Sequence, residues 1–149
     1  MKNTLLILVF LGLVSKLQAQ QTEEAAVRAT IGRMFEGMKK GDSTLVRSVF
    51  HPTARLQSAF VNSDGKSMLQ SEAIDRFVKA VGTPHKEVWD ERVLNYDIKI
   101  DDNLATVWTP YEFYLDGKYS HEGVNAFQLF RSANGWKIIQ ICDTRRKRK

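Results

Sequence analysis

Apolar side chains recur every three or four residues in three stretches of the N-terminal half, the spacing of amphipathic helices. The longest stretch, residues 22–40, predicts a helix with Thr22 as its N-cap. A short second helix is predicted for residues 43–50, with Asp42 as its N-cap. A third helix is predicted for about residues 71–81. The N-terminal half is therefore mainly helical.

Alternation of apolar and polar residues predicts strands, one between the second and third helices and the rest in a C-terminal meander. The strand predicted for residues 87–100 either runs unbroken or breaks near Asp90. This separation of helices from strands predicts an α+β fold, in which three N-terminal helices pack on a curved, mostly antiparallel sheet and leave a cone. The predicted strands are residues 55–62, 87–100, 104–115, 119–131 and 136–144.

The first residues of the chain have the pattern of a secretory signal peptide. Lys2 precedes an apolar run at residues 5–14, and Ala19 supplies the small residue of a cleavage site. The run is too short to cross a bilayer, and no cysteine near the site could carry a lipid, so no stable membrane anchor is expected. We expect a secreted or periplasmic protein with one domain at residues 20–144 and a basic tail at residues 145–149.

Charge and cysteine content exclude several classes of function. The formal net charge is +5, but all of this excess belongs to the signal peptide and the tail, and the remaining body is slightly acidic. The remaining body has no basic stripe with interleaved aromatic residues, so no nucleic-acid partner is expected, and the tail is expected to be frayed and solvated. The single cysteine, Cys142, allows no internal disulfide and no four-cysteine zinc site. It shares strand parity with Ile138 and is expected to be a buried small apolar residue.

Two stretches resemble the nuclear transport factor 2-like superfamily. GDSTLVRSVFHPTARL, residues 41–56, is similar to its helix-to-strand corner, and GVNAFQLFRSANGWKIIQICDTRRK, residues 123–147, is similar to its last hairpin. The combination most resembles the SnoaL-like proteins and the subfamily labelled "putative lumazine-binding". The resemblance implies a cone-shaped pocket and a homodimer formed through the outer sheet face, where Trp108, Val124 and Phe130 would make the contact.

Five residues are candidates for ligand binding. One face of the strand at residues 119–131 mixes polar and large apolar side chains, as the wall of a pocket does. The neighbouring strand adds a tyrosine of the favoured parity, and two further aromatic residues either stack on a flat ligand or belong to the ordinary core. The candidates are Asn125, Phe127, Tyr111, Phe60 and Trp89.

Three residues are candidate general bases, each with an alternative role. His121 either lines the pocket or lies half-exposed at its rim. For His51, at the corner before Pro52, the resemblance implies a place near the pocket entrance; the alternative is that it packs and caps its own helix. Glu112 is a surface residue unless a bulge at Pro110 reverses the parity of its strand.

These observations predict an exported protein that holds an apolar or heteroaromatic small molecule without a cofactor or metal. The alternative is a cofactor-independent lyase, isomerase or hydrolase that uses a histidine or glutamate of the same pocket. The tyrosine–aspartate pair of ketosteroid isomerases cannot be carried over, because residues 22–40 contain no tyrosine. Asp143 either pairs with Arg145 or faces the cavity.

Overall fold

Three helices and seven strands make up the structure, which is a computed structural model. It describes the backbone of residues 2–148 and the side chains of residue 18 and residues 20–148. The elements are α1 (Lys2–Lys40), α2 (Ser43–Val49), β1 (Phe50–Val61), β2 (Ser67–Ala73), α3 (Ile74–Gly82), β3 (Trp89–Val93), β4 (Asp97–Asp101), β5 (Leu104–Leu115), β6 (Lys118–Ser132) and β7 (Gly135–Arg145).

The helices follow the predicted apolar stripes, with one difference at the first N-terminus. The helix predicted to begin at residue 22 is part of the longer α1, and the Thr22 hydroxyl donates to the Gln18 carbonyl instead of capping. Asp42 does cap α2, because its carboxylate accepts a hydrogen bond of 2.8 Å from the Leu45 amide. The predicted signal peptide lies outside the residues with described side chains, apart from residue 18.

All strands belong to one sheet, in the order β2-β1-β7-β6-β5-β3, with β4 also paired to β5. Every pairing is antiparallel except that of β1 with β7. The strands differ from the prediction in three main places, and the first is the start of β1, which lies at Phe50 instead of residue 55. Residues 71–73 end the strand β2, which the sequence analysis missed, and residues 94–96 separate β3 from β4, so the break lies beyond Asp90. The fold is the predicted α+β cone.

A bulge in β7 decides which of its side chains face inward. Gln128 pairs with Gln140 but Leu129 pairs with Ile138, so Ile139 has no partner in β6. Ile138 is buried before the bulge, and Asp143 is buried after it. Cys142 consequently lies half-exposed on the outer face, and the prediction that it is buried beside Ile138 is wrong.

The core fills the space between α1, α2 and the inner face of the sheet. Val27 and Ile31 of α1 and Leu129 of β6 are fully buried in it. The ring of Phe35 meets that of Phe127 edge to face, with 6.2 Å between centroids. The inward parity of β5 and β6 is the predicted one, because Tyr111, Asn125 and Phe127 all lie on the buried face.

Candidate functional site

An open cavity of about 600 Å³ lies between α1, α3 and the inner face of the sheet. Its polar lining divides into a group within the sheet and a group at the mouth. The mouth lies between the β1–β2 hairpin and the C-terminal residues, since Val61, Gln70 and Lys147 are exposed there. The apolar wall consists of Met34, Phe35, Met38, Leu56, Phe60, Val61, Phe77 and Ile141.

A carboxyl–carboxamide pair forms part of the inner polar group. Asn125 Nδ2 donates a hydrogen bond of 2.7 Å to Glu91 Oε1, which joins β6 to β3 across the cavity wall. Burial raises the pKa of Glu91 to about 7; the nearby Asp143 carboxylate adds to the rise, while Asn125 and Arg145 oppose it. Near neutral pH this carboxyl group can therefore either donate or accept a proton.

Asp143 is the centre of a second polar cluster on the same wall. Its carboxylate accepts hydrogen bonds from the Ser58 hydroxyl, from Tyr111 Oη at 3.3 Å and from Arg145 Nε at 2.7 Å. Both alternatives stated for Asp143 are thus realised, because it pairs with Arg145 and also lines the cavity. Burial raises the pKa of Tyr111, so its hydroxyl stays protonated and donates.

His121 lines the cavity beside this cluster. Its ring lies 4.9 Å from that of Phe113 and 5.9 Å from that of Tyr111, centroid to centroid, and its Nδ1 is 3.1 Å from the Ser120 hydroxyl. Burial lowers the pKa of His121, and the charge of Arg145 lowers it further, while Asp143 acts in the opposite direction. The imidazole is consequently mostly neutral at pH 7.

His51 is placed outside the cavity lining. Its Nδ1 lies 2.9 Å from the Thr53 hydroxyl, and its ring packs edge-on against Phe130, an exposed residue of the outer face. The helix-capping alternative is also wrong, because the C-cap of α2 is Phe50 and the His51 side chain bonds forward into β1. A base at this corner would act away from the cavity.

Glu112 lies on the outer side of β5, opposite in parity to Tyr111. Residues 104–113 pair with β6 in unbroken register, so no bulge occurs at Pro110, and the shift comes only after Phe113. The carboxylate accepts a hydrogen bond of 2.7 Å from the Tyr114 hydroxyl and pairs with Arg148. Both contacts lower the pKa of Glu112, Tyr114 more than Arg148. The structure therefore places this carboxylate outside the cavity.

The predicted ligand-binding residues divide between cavity lining and core. Phe60 and Asn125 line the cavity, and Tyr111 reaches it only through the hydrogen bond of its hydroxyl to Asp143. Phe127 is 1% exposed and belongs to the core. Trp89 stacks on His85 with 4.4 Å between ring centroids and also lies outside the lining.

Sequence reasoning missed Glu91, the inner carboxyl group with the raised pKa. A signal was present, since Trp89, Glu91 and Val93 alternate along one face of β3 and a glutamate between two large apolar residues is uncommon on a buried face. The long strand predicted for residues 87–100 obscured that alternation.

The C-terminal residues are held against the sheet, so the prediction of a frayed tail is wrong for Arg145–Arg148, although these residues are exposed to solvent as predicted. The backbone of Arg146 exchanges two hydrogen bonds with that of Glu122, of 2.9 and 3.0 Å. Arg148 Nε lies 3.2 Å from a Glu122 carboxylate oxygen, and its guanidinium group also pairs with Glu112. These contacts place Arg145, Arg146 and Lys147 at the cavity mouth.

Neither a metal site nor a membrane span is found in the part of the chain that the structure describes. No three His, Cys, Asp or Glu side chains there converge closely enough to hold a metal ion. No helix in that part combines the length and the apolar character needed to cross a membrane.

A curved sheet that closes over helices around a polar-lined cavity defines the cone-shaped class of nuclear transport factor 2-like proteins. Residues 22–141 match the sequence model of the family described as "Putative lumazine-binding", and the chain belongs to that family. No curated protein matches the chain.

Solved structures show the same fold at low sequence identity. A nuclear transport factor 2-like protein of unknown function from Shewanella baltica has a TM-score of 0.62 at 18% identity, covering 85% of this chain and 96% of its own. A protein described as a putative scytalone dehydratase from Novosphingobium aromaticivorans has a TM-score of 0.69 at 11% identity, with 87% and 88% covered. A Mycobacterium tuberculosis protein of unknown function has a TM-score of 0.70 at 12% identity, with 87% and 75% covered.

Proposed function

We propose that the protein binds a flat, largely apolar small molecule in its cone. The observation that carries this proposal is the cavity of about 600 Å³, in which one apolar wall faces a set of fixed polar groups, the Glu91–Asn125 pair and the Asp143 cluster. Small-molecule sites have this composition, since apolar walls supply the affinity and a few fixed polar groups supply the orientation. The family's description as lumazine-binding supports a heteroaromatic ligand.

The inner polar group suits a ligand with hydrogen-bonding atoms along one edge. The Glu91 carboxyl and the Asn125 carboxamide together offer both donors and acceptors, and they are joined at 2.7 Å. Phe60 and Phe35 give the cavity aromatic surfaces on β1 and α1 against which a flat ring can pack. A heteroaromatic ring could then bury its faces on the apolar wall and direct its polar edge to Glu91.

Native mass spectrometry of protein purified from its source, followed by thermal-shift screening of a broad metabolite set, tests this function. A ligand at one hundred times its Kd should stabilise the protein by about 2.7 kcal/mol. An empty cavity together with no thermal shift across the set would contradict the proposal.

Leu56→Trp should weaken the binding of any compound found in that screen, raising its Kd at least about tenfold. The reason is that Leu56 lines the cavity and an indole there fills it. Isothermal titration calorimetry measures the loss. Leu104→Trp is the matched control, since Leu104 is 47% exposed on the outer parity of β5. Equal Kd values for the Leu56→Trp variant and the wild type would place the bound compound elsewhere.

A second candidate function is general acid–base catalysis without a cofactor, and Glu91 is the observation that favours it. A carboxyl group with a pKa of about 7 that lines the same cavity as the mostly neutral His121 can exchange protons with a bound substrate. This candidate belongs to the lyase, isomerase or hydrolase class predicted from the sequence, with the acid or base role moved from Glu112 to Glu91.

For any substrate that is turned over, Glu91→Gln should lower kcat by about 100-fold or more, because glutamine cannot transfer a proton. Steady-state kinetics across pH 5 to 9 would show the loss of the ionisation near pH 7. Glu112→Gln is the matched control, since the Glu112 carboxylate bonds to Tyr114 and Arg148 outside the cavity. Unchanged kcat in the Glu91→Gln variant would reject the catalytic role and leave the binding proposal standing.

Export and dimerisation are the remaining parts of the proposal. The signal-peptide pattern at residues 1–19 supports secretion or a periplasmic location, with residues 20–144 as the mature domain. The outer sheet face supports a homodimer, because Trp108 and Phe130 are 54% and 38% exposed there. Sedimentation at micromolar concentration tests the dimer, and a monomer would contradict it.

A further inference from the structure

The C-terminal residues extend the alternation of β7 beyond the last residue of the strand. Asp143, Arg145 and Lys147 have one parity and line the cavity; Arg146, of the other parity, also touches the cavity, but its guanidinium group lies 3.5 Å from the Glu122 carboxylate. Arg148, of the other parity, reaches outward to the carboxylates of Glu112 and Glu122. The antiparallel bridge between Arg146 and Glu122 fixes this register. The basic residues at the mouth are therefore held in place by paired neighbours.

Two cationic side chains at the mouth have nitrogen atoms left for a ligand. Arg145 uses its Nε to bond Asp143 at 2.7 Å, while its two terminal nitrogens make no hydrogen bond to any residue that the structure describes. Lys147 has no carboxylate partner within that same part of the chain. Arginine and lysine in such positions bind carboxylate and phosphate groups.

The acidic side chains of the lining already have partners. Asp143 accepts from Ser58, Tyr111 and Arg145, and Glu91 accepts from Asn125. Glu72, on the opposite side of the mouth, pairs with Arg76 at 3.2 Å. A bound cation would have to displace these contacts, whereas a bound anion would complete the free positions of the two basic residues.

We propose that the ligand of the cone is an organic anion, an aromatic or apolar body with a carboxylate or phosphate at its outer end, held at the mouth by Arg145 and Lys147. This inference rests on the proposed function, and it adds the charge of the ligand and its orientation in the cavity. The apolar body lies against the wall that contains Phe35 and Phe60, and the anionic group stays near solvent. Access of water to that group lowers the cost of desolvating it.

A matched pair of probe compounds tests whether the cavity prefers a negatively charged ligand. The affinities of 2-naphthoate and its neutral amide, 2-naphthamide, are measured by isothermal titration calorimetry at 50 and 500 mM NaCl. We expect the carboxylate to bind about tenfold more tightly than the amide at low salt, and less so at high salt, because exposed ion pairs are screened. Binding of both probes should be lost in the Leu56→Trp variant, which reports that they occupy the cone.

Lys147→Gln should weaken 2-naphthoate about three- to fivefold and leave 2-naphthamide unchanged. The matched control, Lys99→Gln, removes the same charge from the outer face, where Lys99 pairs with Asp97, and should change the affinity for neither probe.

Equal affinity of the two probes, with binding of both lost in the Leu56→Trp variant, would overturn the anion inference and keep the binding function. Naphthoate binding that survives Leu56→Trp would overturn it too, by placing the anion on the tail outside the cone. Binding of neither probe would overturn the inference for aromatic anions, and the metabolite screen then decides the binding function separately.

Discussion

Gly123→Ala should destabilise the protein by at least about 3 kcal/mol, close to the upper limit for an overpacked core position. A Cβ atom at Gly123 would lie 1.8 Å from the carbonyl oxygen of Thr144 and 2.9 Å from Cε1 of Tyr111. Backbone cannot move aside as the end of a flexible side chain can. Because that carbonyl also accepts the Tyr111 hydroxyl, the substitution would separate β7 from β6 where the polar cluster is assembled.

Thermal denaturation measures this effect, and we expect Tm to fall by about 10 °C or more for a domain of this size. Gly32→Ala is the matched control, since a Cβ atom there meets nothing within 4 Å and Gly32 lies inside α1. That change should stabilise the protein by about 0.5 to 1 kcal/mol through helix propensity. A Gly123→Ala protein with wild-type Tm would mean that β7 does not cross β6 this closely.

Glu91→Gln should stabilise the protein by about 2 to 3 kcal/mol at pH 8 and leave its stability nearly unchanged at pH 4.5. The folded-state pKa of Glu91 is raised from 4.5 to about 7. Between these values the folded state binds more protons than the unfolded state, so the free energy of unfolding falls as pH rises. At about 1.4 kcal/mol for each unit, the full loss is at most about 3.5 kcal/mol and is nearly complete at pH 8.

Urea unfolding of both proteins between pH 4.5 and 8 isolates this contribution as their difference. The lowered pKa of His121 makes stability fall as pH drops below its ordinary value of 6.5, and that effect is common to both proteins and cancels. Glu87→Gln, an exposed glutamate outside the cavity, is the control and should change stability by less than about 0.5 kcal/mol at every pH. A stability difference for Glu91→Gln that does not vary with pH would show that Glu91 is not buried against the cavity wall.

A residue that lowers stability at neutral pH is uncommon unless it has another role. Replacing Glu91 by glutamine keeps an acceptor for Asn125 but removes the ionisation, so the variant separates the two proposed functions. If the cavity only binds a ligand, the Glu91→Gln variant should keep its affinity for a ligand that needs only a hydrogen-bond acceptor at this position. A catalytic cavity should lose turnover.

The general architecture could be predicted from the sequence because it depends on periodicity. The stripe of α1, the Asp42 cap and the alternation of β5 and β6 are local patterns, and each predicted the observed element. Strand β2 was missed because its burial does not alternate: nearly all of its residues are exposed at the edge of the sheet. An edge strand leaves little hydrophobic signal.

Candidate residues on β6 could be predicted for the same reason, and His121 and Asn125 do line the cavity. The positions of Glu112 and His51 depended on facts that the sequence does not contain. For Glu112 the deciding fact was the unbroken register at Pro110, and for His51 it was the direction of its side chain at the start of β1. The local alternation around Glu91 could have indicated its face, but its contact with Asn125, which is 34 residues away along the chain, depends on the tertiary structure.

The sequence by itself determined the class of fold, the alternation within β5 and β6 and the resemblance to a family, because each of these depends on residues close together in the chain. The tertiary structure alone decided what the cavity contains. The bulge at Ile139 turns Asp143 inward, and the bridge between Arg146 and Glu122 brings the basic C-terminus to the mouth. Both features depend on pairing between distant strands, where a shift of one residue exchanges the two faces of a strand.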